Sequence, residues 1–124
     1  VLDDAWARPA IHLGDAAGHA DVNSAAYMVL RNRGATADRL IGASSPAARV
    51  VELHRSSLED GIMRMEHVDA IELPPRSEVR LEPGGYHLML IGIRESLEVG
   101  DTVEITLHFE YGGTLTRRIP VAQP

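Results

Sequence analysis

Residues 83–90 read PGGYHLML, and this stretch combines a turn, the start of a β-strand and two side chains that can bind soft metals. A proline followed by two glycines is typical of a tight turn. Side chains alternate along an extended strand, so His87 and Met89 project from one face and Leu88 from the other. We therefore expect Leu88 to pin the strand to the core, while the imidazole and the thioether are free to bind one ion.

The length of 124 residues predicts one domain spanning residues 1–124, large enough to bury a continuous core. Hydrophobic residues make up 44% of the chain, but no apolar run approaches the roughly 20 residues that cross a bilayer. We expect no membrane span. The chain begins at Val1 without a charged and apolar leader, and we interpret it as a processed or truncated chain, which is consistent with a removed export signal.

The charge pattern argues against a nucleic-acid partner. The chain has 12 basic and 18 acidic residues, for a net charge of -6, and the basic residues are scattered along it. Phosphate binding requires a concentrated cationic surface, and base stacking requires aromatic side chains, of which one Trp, one Phe and three Tyr are present.

The chain contains no cysteine, which excludes disulfides, thiolate zinc sites and a nucleophilic cysteine. A blue-copper electron-transfer site also requires a cysteine thiolate. Thioether and imidazole ligands, by contrast, persist in an oxidising compartment where free thiols would be lost.

Short strand-like segments alternate with turn signals about every ten residues, and no segment has a convincing helical period. This pattern predicts an antiparallel β-sandwich of about eight short strands. Segments 50–58 and 62–68 flank the turn signal Asp60-Gly61 and predict a hairpin. Segment 86–93 is apolar on both faces, so we expect it at the centre of the sheet.

The predicted hairpin places the strand that carries His54 beside the strand that carries Met65. Together with His87 and Met89, these residues form a soft and uncharged donor set. Such a set disfavours Mg²⁺ and Ca²⁺, gives Zn²⁺ no advantage and suits Cu(I).

The spacing of these residues resembles the PCuAC family of periplasmic copper chaperones. The family pattern His-x10-Met-x21-His-x-Met is matched without a gap by His54, Met65, His87 and Met89. The similarity extends along nearly the whole chain. Further family-like segments are DAWAR at 4–8, AAYM at 25–28, VELH at 51–54, GIMRM at 61–65 and GDTV at 100–103.

The resemblance implies a cupredoxin-like Greek-key β-sandwich that binds one Cu(I) through these four residues. It also implies a periplasmic or other extracytoplasmic location and delivery of copper to the CuA centre in subunit II of cytochrome c oxidase, alongside a Sco-type partner. We expect a monomer with no enzymatic activity.

Several nearby residues have two interpretations. Segment 11–22 is longer than the resemblance suggests, and for His12 and His19 a loop without a metal is favoured over a second Cu(II) or Zn²⁺ site. Met63 is expected to be buried packing, with a reserve ligand as the alternative. His67 is expected at a solvated strand end, with a place near the metal as the alternative.

Two other functions compete with the copper chaperone. One is copper storage in the envelope, and the other is a β-sandwich interaction module that binds no metal. A hydrolase is disfavoured, because a triad of Ser56, His54 and Asp60 lacks a nucleophile-elbow pattern and an oxyanion hole.

Overall fold

The computed structural model describes residues 2–10 and 22–123, and the regular structure in these ranges is β-strand. His12 and His19 lie outside the described residues. The strands are β1 (Leu2–Ala7), β2 (Ser24–Asn32), β3 (Asp38–Ser44), β4 (Ala48–Glu59), β5 (Ile62–His67), β6 (Ile71–Leu73), β7 (Ser77–Leu81), β8 (Tyr86–Ile93), β9 (Thr102–Phe109) and β10 (Gly113–Pro120).

The strands form a nearly closed β-sandwich. Eight of them follow the order β1-β2-β7-β8-β4-β3-β9-β10, while β5 pairs with β4 and β6 pairs with β3. A parallel bridge between Ala7 and Val121 joins the two ends of this path. The predicted cupredoxin-like β-sandwich is therefore confirmed. Within the described ranges, no helix is long and apolar enough to span a membrane.

Strand β8 lies at the centre of the fold, as its apolar sequence predicts. It pairs with β4 along its length, with the first half of β2, and with β7 through a single parallel pair, Leu81 with Tyr86. The centre of its inner face is fully buried, since Leu88 and Leu90 are each 0% exposed. Leu88 therefore pins the strand to the core, as expected.

The β4–β5 hairpin also forms as predicted. Asp60 has φ of 50° and Gly61 has φ of 77°, the left-handed conformations that a two-residue hairpin turn requires. Among the described strands β5 pairs with β4 alone, and all six of its residues are exposed. This strand is thus a projecting edge.

Strand β6 was not predicted. It contains three residues, too few to establish an alternating pattern, and Pro74-Pro75 follows it directly. Burial explains why it forms, because Ile71 and Leu73 are 1% and 5% exposed and pack into the core. It pairs with β3. The described residues thus contain ten strands, against about eight expected.

Replacing Leu88 with Ala should lower the free energy of unfolding by about 2–5 kcal/mol, because a fully buried leucine leaves a cavity. Urea denaturation measures this change. The matched control is Val99→Ala at a 65% exposed position, which should cost no more than about 0.5 kcal/mol. Equal losses in the two variants would contradict the anchoring role of Leu88.

Candidate metal centre

Three histidines form a row across neighbouring strands. His54 on β4 lies opposite His67 on β5 and opposite His87 on β8. The ring centroids of His54 and His87 are 5.6 Å apart, and those of His54 and His67 are 6.0 Å apart with the rings edge to face. His54 is therefore the centre of the row.

The two predicted methionine ligands lie on the same sheet face as the histidines. Met89 is opposite Glu52 on β4, and Met65 is opposite Ser56. Both positions are two residues along a strand from the histidine row, so each is a diagonal neighbour of His54. The register thus brings all four sequence-predicted residues onto one face, with the methionines on opposite sides of the row.

The hydrogen bonds of the half-buried His54 ring and the buried His87 ring leave one nitrogen of each without a partner among the described residues. Nε2 of His54 lies 3.0 Å from Oε1 of Glu52, and Nδ1 of His87 lies 3.4 Å from the carbonyl oxygen of Gly85. The other nitrogens, Nδ1 of His54 and Nε2 of His87, are buried and have no hydrogen-bond partner within the described residues. Buried polar atoms are rarely left in this way, so these two nitrogens are the candidate ligand atoms of this face.

An aromatic wall covers one side of the site. The Tyr27 ring is 6.3 Å from the His87 ring and 4.7 Å from the Trp6 ring, and it is 4% exposed. The Arg8 guanidinium lies 5.3 Å from the centre of the Tyr27 ring, a cation–π contact. Burial raises the pKa of Tyr27, with Arg8 opposing the shift, so its hydroxyl stays neutral at pH 7.

Burial favours the uncharged form of the His87 ring. Burial lowers the pKa of His87, and the hydrogen bond to Gly85 only partly offsets this effect. The ring is therefore neutral at pH 7. The hydrogen bond from His54 lowers the pKa of Glu52, so this side chain is a carboxylate.

Exposure increases from one side of the site to the other. His87 is 2% exposed, Met89 is half-buried, and Met65 on the edge strand is 58% exposed. Across residues 2–10 and 22–123, no group of three or more His, Cys, Asp or Glu side chains is placed to hold a metal ion. A metal at this face would thus depend on the thioethers.

Two expectations about neighbouring residues are tested by these positions. The predicted burial of Met63 is wrong, because it is 56% exposed on an edge strand whose one pairing partner among the described strands is β4. It shares its strand face with Met65. The side chain of His67 is 55% exposed, as expected for a solvated strand end, yet its ring edge approaches the ring of His54.

Sequence reasoning missed two residues of the site, Glu52 and Tyr27. For Glu52 a signal was present, because a residue two positions before His54 on a strand must share its face. For Tyr27 no local signal exists, since its approach to His87 arises from the pairing of β2 with β8.

In the metal-free protein, His87 should titrate below the ordinary pKa of 6.5. Between the lower folded-state pKa and 6.5, the unfolded chain binds a proton that the folded chain does not, so stability falls as the pH drops through 6.5. NMR titration of the imidazole measures the pKa, and urea denaturation at several pH values measures the slope. His87→Gln should flatten that slope. A pKa of 6.5 or above would contradict the burial argument.

The chain matches the LpqE-like family model over residues 1–121. The Leifsonia xyli subsp. xyli protein Lxx21020, whose name describes a lipoprotein, is 33% identical over 99 residues, covering 79% of this chain and 60% of that protein. The Rickettsia prowazekii protein RP573 is 30% identical over 106 residues, covering 85% of this chain and 56% of that protein. The chain thus spans less than two thirds of the length of these curated relatives.

Solved structures of PCuAC domains are also similar to this chain. The copper-bound PCuAC domain from PmoF2 superposes with a TM-score of 0.74 at 32% identity, covering 99% of this chain and 92% of that one. The solution structure of Cu(I)-bound DR1885 from Deinococcus radiodurans has a TM-score of 0.69 at 31% identity, covering 97% and 77%. The chain therefore belongs to the LpqE-like family, which is the PCuAC family.

Proposed function

We propose that this chain is a copper(I) metallochaperone of the bacterial cell envelope, holding one Cu(I) on His54, Met65, His87 and Met89. The observation that carries the proposal is the pair of buried imidazole nitrogens without partners, Nδ1 of His54 and Nε2 of His87. A metal ion at this face would satisfy both of them, and the diagonal methionines would supply the remaining ligands.

The donor chemistry supports Cu(I) over other ions. Thioether and neutral imidazole are soft, uncharged ligands, which Mg²⁺ and Ca²⁺ do not favour. A hard divalent cation would need carboxylates, and Glu52, the carboxylate beside His54, already accepts a hydrogen bond from that ring. A monovalent ion also places less charge beside the buried wall of Tyr27.

The comparisons support the same ion. The PmoF2 domain is described as copper-bound and DR1885 as a Cu(I) form, and each is more than 30% identical to this chain. The lipoprotein description of the family supports an extracytoplasmic location.

The exposure gradient suggests how copper would leave. A thiolate from the acceptor is negatively charged and binds Cu(I) more strongly than a thioether does. It can therefore replace the thioethers one at a time. Met65 is the accessible starting point, because it lies exposed on the edge strand β5. His87, which is 2% exposed, would release the ion last. The work of the protein is then ligand exchange without catalysis.

The acceptor we propose is a cysteine-containing copper site such as CuA in subunit II of cytochrome c oxidase, or a Sco-type protein. A copper store in the envelope is the second candidate, since the same site would hold copper without a partner. Incubating the Cu(I)-loaded chain with a soluble CuA domain, then measuring copper in each separated protein, distinguishes them. Transfer supports the chaperone, and retention supports the store.

Anaerobic titration against a chromogenic Cu(I) chelator should give one Cu(I) per chain. The double variant Met65→Leu/Met89→Leu should bind Cu(I) more than about 100-fold more weakly, because losing even an outer-shell partner typically costs about 10–100-fold.

The control is Met63→Leu, which removes an exposed thioether from the same strand face and should leave the stoichiometry at one. If the wild-type chain took up no Cu(I) and showed no Cu(I)-dependent rise in melting temperature, the metal-free interaction module would replace the chaperone proposal.

A further inference from the structure

Glu52 and His54 lie two residues apart on β4, so both side chains project from the face that carries the candidate metal centre. The carboxylate oxygen Oε1 is 3.0 Å from Nε2 of His54. Neither group is fully in solvent, since the side chains are 16% exposed for His54 and 37% for Glu52. The contact is therefore a partly desolvated hydrogen bond that can hold the ring in one orientation.

This hydrogen bond decides which nitrogen of His54 carries the proton. An ionised carboxylate can only accept, so Nε2 must be the N–H donor. In the neutral ring the lone pair is then on Nδ1, and Nδ1 is the buried atom without a partner. The contact with Glu52 thus presents Nδ1 to the site.

His87 has the opposite tautomer. The Gly85 carbonyl can only accept, so Nδ1 of His87 carries the proton and Nε2 holds the lone pair. Nε2 is again the buried atom without a partner. The two rings are 5.6 Å apart, and the register of β4 and β8 fixes them opposite each other. The two facing rings therefore present different nitrogens to the site, Nδ1 from His54 and Nε2 from His87.

We propose that Glu52 is a positioning residue that makes His54 bind Cu(I) through Nδ1, while the Gly85 carbonyl makes His87 bind through Nε2. The inference rests on the proposed function and deepens it. Glu52 acts through His54 and does not contact the ion. A carboxylate hydrogen-bonded to a ligating histidine fixes its tautomer and raises its basicity, and losing such a partner typically costs about 10–100-fold in metal affinity.

The groups that accept hydrogen bonds from the two histidines are of different kinds. Gly85 contributes a backbone carbonyl from the turn before β8, which no side-chain substitution removes. Glu52 contributes a side chain, so its part of the arrangement can be removed separately. Glu52 lies directly opposite Met89 and two residues before His54, so it is a neighbour of two proposed ligands.

The first test uses the metal-free protein at pH 8, with long-range ¹H–¹⁵N NMR spectra that distinguish the two neutral histidine tautomers. In the wild type, His54 should carry its proton on Nε2 and His87 on Nδ1. In Glu52→Leu, His54 should become a mixture of tautomers while His87 is unchanged. A wild-type His54 protonated on Nδ1 would overturn the inference.

The second test measures Cu(I) affinity by anaerobic chelator competition. Glu52→Leu should weaken binding by about 10–100-fold. Glu52→Gln, whose amide oxygen can still accept from Nε2, should remain within about threefold of the wild type. The matched control is Glu66→Leu, which removes an equally charged residue of the neighbouring strand that is paired with Arg55, and it should bind like the wild type.

The outcomes separate the two proposals. Correct tautomers without Cu(I) binding overturn the proposed function, whereas Cu(I) binding with an unchanged affinity in Glu52→Leu overturns the positioning role. Equal losses in Glu52→Leu and Glu52→Gln would make the carboxylate itself a ligand and would also overturn it. Backbone amide spectra establish that each variant is folded, and the wild-type tautomers test the inference even if Glu52→Leu does not fold.

Discussion

The antiparallel pairing of β4 with β8 is the constraint on which the rest of the structure depends. One face of this pair is core, where Leu53 lies opposite Leu88, and these residues are 3% and 0% exposed. The other face carries His54 opposite His87. Because side chains alternate along a strand, a register slip of one residue would expose the leucines and bury the opposite set. Core packing therefore fixes the geometry of the histidine pair, and the site cannot form before the sandwich does.

The site combines a rigid half with an accessible half. His87 belongs to the central strand and lies beside the buried Tyr27 ring, while Met65 belongs to an edge strand that pairs, among the described strands, with β4 alone. Burial protects a bound ion from water and competing ligands, and exposure gives a partner protein a place to begin exchange. A chaperone needs both properties.

Local pattern predicted much of this arrangement. The turn at Asp60-Gly61 and the strand 86–93 follow from residue types alone. The pairing of β4 with β8, which brings the four motif residues onto one face, does not. Other features depend on contacts distant in sequence. Strand β6 is held by burial of Ile71, and the exposure of Met63 follows from the absence, among the described strands, of a second neighbour for β5. The tautomers of the two histidines required atomic positions, because neither is encoded in spacing.

The proposed function requires two imidazoles and two thioethers on one sheet face to bind a single Cu(I). X-ray absorption spectroscopy of the Cu(I)-loaded protein tests it most directly, because sulfur and nitrogen neighbours of copper scatter at different distances and strengths. We expect sulfur and nitrogen ligands together, with the sulfur contribution lost in Met65→Leu/Met89→Leu. A first shell of nitrogen and oxygen alone, unchanged in that variant, would contradict it.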